Sequence, residues 1–498
     1  MKKALCILLA LLMFLPVLAS CGESKENTDT PANTQSGQTS TGNDAADSGG
    51  EAETESPTAR WDAVAKPDLG GMDIIGTTNN FDSNFYNVLD WEETSGDNLK
   101  DAMYTRNRFI EEQLNCQFLV VYGDAVKMLE QSVVAGSGDV DFTYSLISNG
   151  GGLIQKGYLT AFNKLETADM TQRYWDQGAQ RYLKILGQMY FGELDFGFDH
   201  YDSLAVLFYN GVLLNNFQLE DPQELFLSEE WTVDKMTEQL AAVLTDENGD
   251  GKYDLKNDTL GLVGREYWFQ PILFGAGEFL VTWDWEEEKF ALHLGEERFI
   301  EVSETIAKIY AKDNPATNYS DYDQGRIAFS DGRALYYSRL LGDFRQLREV
   351  EDDYGVVCFP RYDFAVEDSS YFVKNPTTLF LPLVVGDDNG DGEQDFDEIG
   401  VFLQAMGAYT FDVTLNVYIE NTVIGKGMRD EKSAEMVRIM MTNRSFDLCE
   451  AFGLQTFLDA YQACIVNNSR YASTAEKVSK NFNKLTEKLV DAMRKNIG

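Results

Sequence analysis

The stretch Phe118–Phe142, FLVVYGDAVKMLEQSVVAGSGDVDF, decides the fold class. Its opening residues, Phe118 to Tyr122, are apolar, β-branched and aromatic, a composition that predicts a strand. Ala125 to Val134 then places Val126, Leu129 and Val133 on one side of a helix. Ala135-Gly136-Ser137-Gly138 breaks that helix, and Val140-Asp141-Phe142 reads as the next strand. Upstream, Met72–Gly76 reads as an opening strand. Asp101–Leu114 reads as a helix, with Ala102, Met103, Phe109, Ile110 and Leu114 in its apolar stripe. Strand and helix alternate, the pattern of a parallel α/β sheet flanked by helices.

Downstream segments repeat the pattern. Ala205–Tyr209 is a strand ending in the turn Asn210-Gly211. Trp231–Leu244 is a helix capped by Thr232, and Arg298–Ala311 is another. Arg333–Tyr337 and Tyr354–Val357 are strands, and helices dominate from Leu403 onward. These elements predict a second α/β unit with a helical closure.

The chain opens differently. Lys2 and Lys3 precede a nearly unbroken apolar run, Ala4–Ala19, too short for a comfortable membrane span of about 20 residues but suited to a signal-peptide core. Leu18-Ala19-Ser20-Cys21 resembles a lipobox, which implies acylation of the Cys21 thiol (palmitate-type chains) and cleavage before it. Several acyl chains anchor far more firmly than one. Gly22–Arg60 has no aromatic residue and no Val, Ile, Leu or Met, so it cannot bury enough apolar surface to offset its chain entropy. As a flexible coil it reaches about 35 Å. Residues 1–20 are thus expected to be a signal peptide and 21–65 a disordered tether, with the body at the extracellular face of the membrane.

A formal net charge of −41, from 82 acidic and 41 basic residues, argues against nucleic acid and against direct adhesion to anionic lipid. Once Cys6 and Cys21 are set aside, Cys116, Cys358, Cys449 and Cys464 lie far apart with no C-x-x-C spacing. That excludes a thiolate metal site and leaves any pairing open, with buried free thiols as the default.

Five passages carry a family resemblance. They are Gly138–Phe142 with Gly157-Tyr158-Leu159 and Phe162–Leu165; Leu207–Asn210 with Leu213-Leu214; Trp231–Asp234; Ala328–Tyr336; and Tyr354–Val357 with Phe359-Pro360. In this order, spanning about residues 70 to 480, they resemble the family-1 extracellular solute-binding proteins of ABC importers; Cys358 stands where that family commonly has proline. The resemblance implies a type II periplasmic-binding-protein-like fold: two α/β lobes, discontinuous in sequence, joined by hinge strands. Lobe 1 would comprise 66–196 and 358–410, and lobe 2 would comprise 197–357 and 411–498. The chain would cross at Phe196–Tyr201, at Val357–Pro360 running beside it, and near Tyr409–Phe411. It implies a monomeric subunit that captures a solute, most often a sugar, for a membrane permease. It also implies that Tyr144, Tyr201, Trp268 and Arg339 stand near the cleft mouth, along with Trp283 and Trp285. A sugar cleft needs aromatic platforms and planar polar side chains, and aromatics make up 12% of this chain.

Catalysis has few candidates. The two histidines are His200 and His293, and there is no G-x-S-x-G, H-E-x-x-H or phosphate-binding P-loop, so neither an enzyme nor a nucleotide site is expected. The alternatives are an extracellular glycan-acting enzyme or a calcium-stiffened surface adhesin. Calcium enters through two acidic loops. Asp387-Asp388-Asn389-Gly390-Asp391-Gly392, five further residues and then Glu398 fit the EF-hand loop pattern, with ligands from Asp387, Asn389, Asp391, the Glu393 carbonyl, Asp395 and Glu398. Asp246, Asn248, Asp250, Lys252 and Asp254 begin a second such loop, but Asn257 holds its twelfth position. Any calcium there would be structural.

Overall fold

The computed structural model describes residues 56–79, 88–265, 268–319, 322–366 and 369–497; the expectations for Cys21, for a signal peptide at 1–20 and for most of a tether at 21–65 lie outside them. Two five-stranded sheets organise the body. In the first, Gln117–Gly123, Asp73–Asn79 and Phe142–Leu146 are parallel neighbours. Thr377–Pro382 then runs antiparallel between Phe142–Leu146 and Leu159–Thr160. In the second, Ala334–Leu340 lies parallel to Leu260–Gly264, which pairs in parallel with Thr317–Asn318. Ala205–Asn210 and Tyr354–Val357 complete that sheet in antiparallel order. The purely parallel sheets expected from the alternation are therefore mixed. In the first sheet the antiparallel member is Thr377–Pro382, the strand that comes after the strands of the second sheet in sequence.

Local chemistry sets the element ends. Helix Asn98–Leu114 starts where Asp97 accepts the Leu99 and Lys100 N–H groups, and it stops at Asn115 in the left-handed region (φ 49°). Helix Ala125–Ala135 starts on Asp124 and stops at Gly136 (φ 64°). Thr232 caps helix Val233–Val243 through the Lys235 N–H. Glu297–Tyr310 forms the other helix expected here. The helix-rich end is interrupted by a short strand, Arg444–Phe446, paired in parallel with Tyr371–Val373.

Residues 56–65, the end of the stretch expected to be a tether, are ordered. Ala59–Ala63 is helical, Trp61 is buried against Phe109 and Tyr409, and the Arg60 and Trp61 N–H groups both donate to Asp412. The Trp61 ring contacts and the hydrogen bonds to Asp412 together hold this segment on the body. Cys116, Cys358, Cys449 and Cys464 are free and buried. Among the described residues no helix is long and apolar enough to cross a membrane.

Candidate functional site

Phe191–Asp202, FGELDFGFDHYD, alternates acids with aromatic residues, and every residue in it is buried. It carries the chain from the first sheet towards the second. Gly192 bridges Leu379 within the first sheet, and Leu204, just past a short helix Asp199–Asp202, bridges Val373. Between these bridges the Thr377 N–H donates to Asp199 Oδ2 at 2.5 Å and the Lys374 N–H to the Ser203 carbonyl at 2.9 Å. The neighbour of this passage is therefore Val373–Thr377. Val357–Pro360, expected in that place, stays with the second sheet: the buried Trp231 indole N–H donates to the Cys358 carbonyl at 2.9 Å, and the Arg361 N–H donates to the Trp231 carbonyl. These two hydrogen bonds tie the segment to helix Val233–Val243 through the residues before it.

The third passage is helical. Phe396–Tyr409 continues into π-helical turns at Thr410–Thr414 and Val417–Ile424. Tyr418, on the second of these, donates to Asp202 Oδ1 at 2.6 Å and stacks on Phe198 at 4.6 Å. The Arg345 guanidinium closes on both Asp202 oxygens at 3.0 and 3.1 Å. Arg106 ties the start of this helical passage to the first, donating to the Phe196 carbonyl at 2.7 Å and to Thr410 Oγ1 at 3.0 Å.

A second polar group adjoins the first passage. Tyr201 donates to Asp195 Oδ1 at 2.8 Å, and His200 Nε2 lies 3.3 Å from the same oxygen. Arg444 donates through Nε to Asp176 at 2.7 Å while its guanidinium lies over the Tyr201 ring at 4.1 Å. Burial dominates the electrostatics. It pushes the Asp199 carboxyl up to about 6, against the Thr377 hydrogen bonds that pull it down. Burial also raises Glu193 far above the carboxylate range, helped by repulsion from Asp176, and it lowers His200. Asp199 and Asp202 are answered from other passages, by Thr377 and by Arg345 and Tyr418, while Asp195 is answered within its own passage by Tyr201. The arrangement links three segments remote in sequence through buried hydrogen bonds and ring contacts.

The structure brings two of the four sequence-predicted ligand residues to this crossing. Tyr144, on strand Phe142–Leu146, lies against Gly197 and feels the charges of Asp199 and Glu193; Tyr201 belongs to the Asp195–Arg444 group. Arg339, near the carboxyl end of Ala334–Leu340, pairs with Asp343 at 2.7 Å, two residues before the Leu341 N–H that bonds the Leu204 carbonyl. Trp268 follows strand Leu260–Gly264 and packs on Phe359. All four are at most 6% exposed. Trp283 and Trp285 sit on the hairpin Val281–Leu292, Trp283 buried and Trp285 57% exposed. In open α/β sheets ligands bind beyond the carboxyl ends of parallel strands, where Arg339 and Trp268 stand. Sequence reading missed Asp176, Asp199, Asp202, Arg345, Tyr418 and Arg444. The acid–aromatic alternation of 191–202 was the one local signal.

The two acidic loops share one backbone. Gly249 and Gly251 take φ of 71° and 78°, and Gly390 and Gly392 take 74° and 96°, the turn such a loop needs. Their side chains fold inward: Asp246 accepts from the Gly249, Asp250 and Gly251 N–H groups, and Asp387 accepts from Gly392. Asn389 donates to Glu398 at 2.9 Å, while Asp395 accepts the Asp388 N–H. Among the described residues no three acidic, His or Cys side chains converge as a metal-holding group. The backbone fits a cation loop; the carboxylates, as placed, serve the loop's own N–H groups.

No protein-family model and no curated protein matches this chain. Solved structures do. A cyclo/maltodextrin-binding protein complexed with maltotetraose aligns over 85% of this chain and 98% of its own, with a TM-score of 0.53 at 14% identity. An ABC substrate-binding protein from Listeria monocytogenes in complex with cycloalternan covers 83% and 98%, with a TM-score of 0.51 at 11% identity. UspC of M. tuberculosis covers 83% and 100%, with a TM-score of 0.50 at 14% identity. Two mixed sheets, the first completed by a strand that returns after the second, spanning nearly the whole length of such neighbours, give this chain the type II periplasmic-binding-protein fold of ABC-transporter solute-binding proteins.

Proposed function

We propose that this chain is the solute-capturing subunit of an ABC importer, held at the extracellular face of the membrane through Cys21, and that its solute is a saccharide. The observation that carries the reading is the crossing itself. Asp199–Leu204 and Val373–Thr377 run side by side between two sheets, so bending there changes the gap between the sheets without unfolding either. Tyr144, Tyr201, Trp268 and Arg339 are buried. A solute reaches them only when the sheets part, and its contacts to both sides then favour the closed form. The saccharide class is supported by aromatic and planar polar groups near the crossing and by the maltotetraose and cycloalternan bound to two of the neighbours named above. Transport energy comes from a separate ATPase, the protein acts as a monomer, and calcium in the loops at 246–254 and 387–398 stiffens the body.

A thermal-shift screen of the purified protein against malto-oligosaccharides, amino acids and peptides tests the class of solute. The expected result is stabilisation by one saccharide series, with a decrease in radius of gyration by small-angle scattering when it is added. Product formation from the bound sugar, or stabilisation by peptides alone, overturns the reading.

A further inference from the structure

The C-terminal helix Tyr471–Ile497 buries Tyr471, Phe482, Leu489, Val490 and Met493. At 3.6 residues per turn, Lys477, Lys480, Lys484, Lys488 and Lys495 fall within an arc of about 80° on the opposite side. All five are exposed, and none has a hydrogen-bond or ion-pair partner among the described residues. Asp491 is the one carboxylate within the arc; Glu476 and Glu487 flank it. Elsewhere surface lysines do find acids, as in Lys235–Glu220, Lys308–Asp234 and Lys432–Glu224. A ridge of five unpaired lysines, in excess over the three carboxylates in and beside it, is a local exception on a chain of net charge −41.

Both ends of the ridge add to it. Near Lys477 it opens on a cavity of about 490 Å³ whose lining includes Lys312, Arg470, Lys477, Asn467 and Thr474 but no carboxylate. At the other end Lys164 Nζ donates to the Asn496 carbonyl at 3.2 Å. Thr167, three residues on, lines a cavity with Ala63, Val64 and Ala65, where the chain coming from the tether enters the body. The C-terminal end of the helix is thus linked through Lys164 to the segment that carries Thr167, beside Ala63–Ala65.

We propose that this lysine ridge rests on anionic phospholipid headgroups, with the Lys312–Arg470–Lys477 cavity taking a headgroup phosphate. The proposal rests on the membrane-anchored reading above. The total charge argues against adhesion, but at physiological ionic strength screening confines each charge to about 8 Å, so the membrane meets the ridge rather than the whole-chain sum. Each lysine brought to an anionic surface adds attraction. A tether reaching about 35 Å keeps the ridge within range. The dock would fix how the body faces a permease.

The test uses the protein as purified from membranes, inserted into vesicles of phosphatidylcholine alone or with about one-third phosphatidylglycerol, followed by acetylation footprinting. Lys312 and the five ridge lysines should lose about threefold or more of their reactivity on the anionic vesicles and recover it in high salt, while Lys127 and Lys252 stay unchanged. The triple variant Lys480→Glu, Lys484→Glu, Lys488→Glu should lose the salt-sensitive protection at an unchanged melting temperature. Equal ridge reactivity on both vesicle types overturns the proposal. The mass of the Cys21 peptide reports lipidation separately. If Cys21 carries no lipid, the same protein added to preformed vesicles decides the ridge by co-sedimentation: binding to the anionic vesicles alone upholds it, and no binding overturns it.

Discussion

The Asp199 carboxylate accepts the Thr377 backbone N–H at 2.5 Å, so one buried acid spans two passages that lie far apart in sequence. Around it stand Asp202, Glu193, Tyr144 and Arg345, which add charge of both signs, and burial pushes its pKa up to about 6. A carboxyl whose pKa is raised by folding binds its proton more tightly in the folded state. Its contribution to stability is then full below about pH 4 and is lost as pH rises through about 6. Asp199→Asn keeps an acceptor for Thr377 without the charge. It should stabilise the protein by about 1–3 kcal/mol near pH 7.5, the advantage shrinking to nothing near pH 4. Calorimetric melts across that range check this; an advantage independent of pH would remove Asp199 as its source.

Arg444 balances Asp176, which also caps helix Gln177–Leu183 through the Ala179 N–H. Arg444→Met leaves that carboxylate buried beside Glu193 and strips the cation from the Tyr201 ring. The expected loss is about 3–5 kcal/mol in urea unfolding. Combining it with Asp176→Asn should recover part of the loss, because no buried charge is then stranded. A double variant as unstable as the sum of the two single changes would contradict the pairing.

Gly197 is small because the Tyr144 hydroxyl occupies the space a Cβ would take. Gly197→Ala should cost about 1–3 kcal/mol by overpacking. In a Tyr144→Phe background, which removes the nearest atom, the cost should fall. Equal costs in both backgrounds would show that the strain lies elsewhere.

Calcium should raise the melting temperature and a chelator lower it, if the loops at 246–254 and 387–398 exchange their internal N–H contacts for a cation. Replacing Asp387 and Asp391 by Asn should remove most of the response, since the first loop lacks a carboxylate at its twelfth position. A melt indifferent to both calcium and chelator would dismiss the idea.

Much of the framework was legible in the residues alone. Phe118–Phe142 announced strand, helix and strand because apolar periodicity and a Gly-Ser-Gly break are local properties. Thr232 as a cap and the strands at Ala205–Asn210 and Tyr354–Val357 were readable for the same reason. Trp61 escaped, since a single aromatic residue at the end of a polar stretch carries no periodicity, and its burial depends on Phe109 and Tyr409 from elsewhere.

What the sequence determined by itself was the kind of element each segment forms, the α/β class, and the charge and cysteine spacing that argue against nucleic acid and a thiolate metal site. Only the tertiary structure decided that Val373–Thr377, not Val357–Pro360, lies against Asp199–Leu204, and that Asp202 meets both Arg345 and Tyr418. The reason is physical. Helix and strand preferences are set by neighbours a few residues away. Which buried acid finds which distant donor depends on the cost of leaving either unpaired in a low-dielectric interior, and that is settled only when the whole chain has packed.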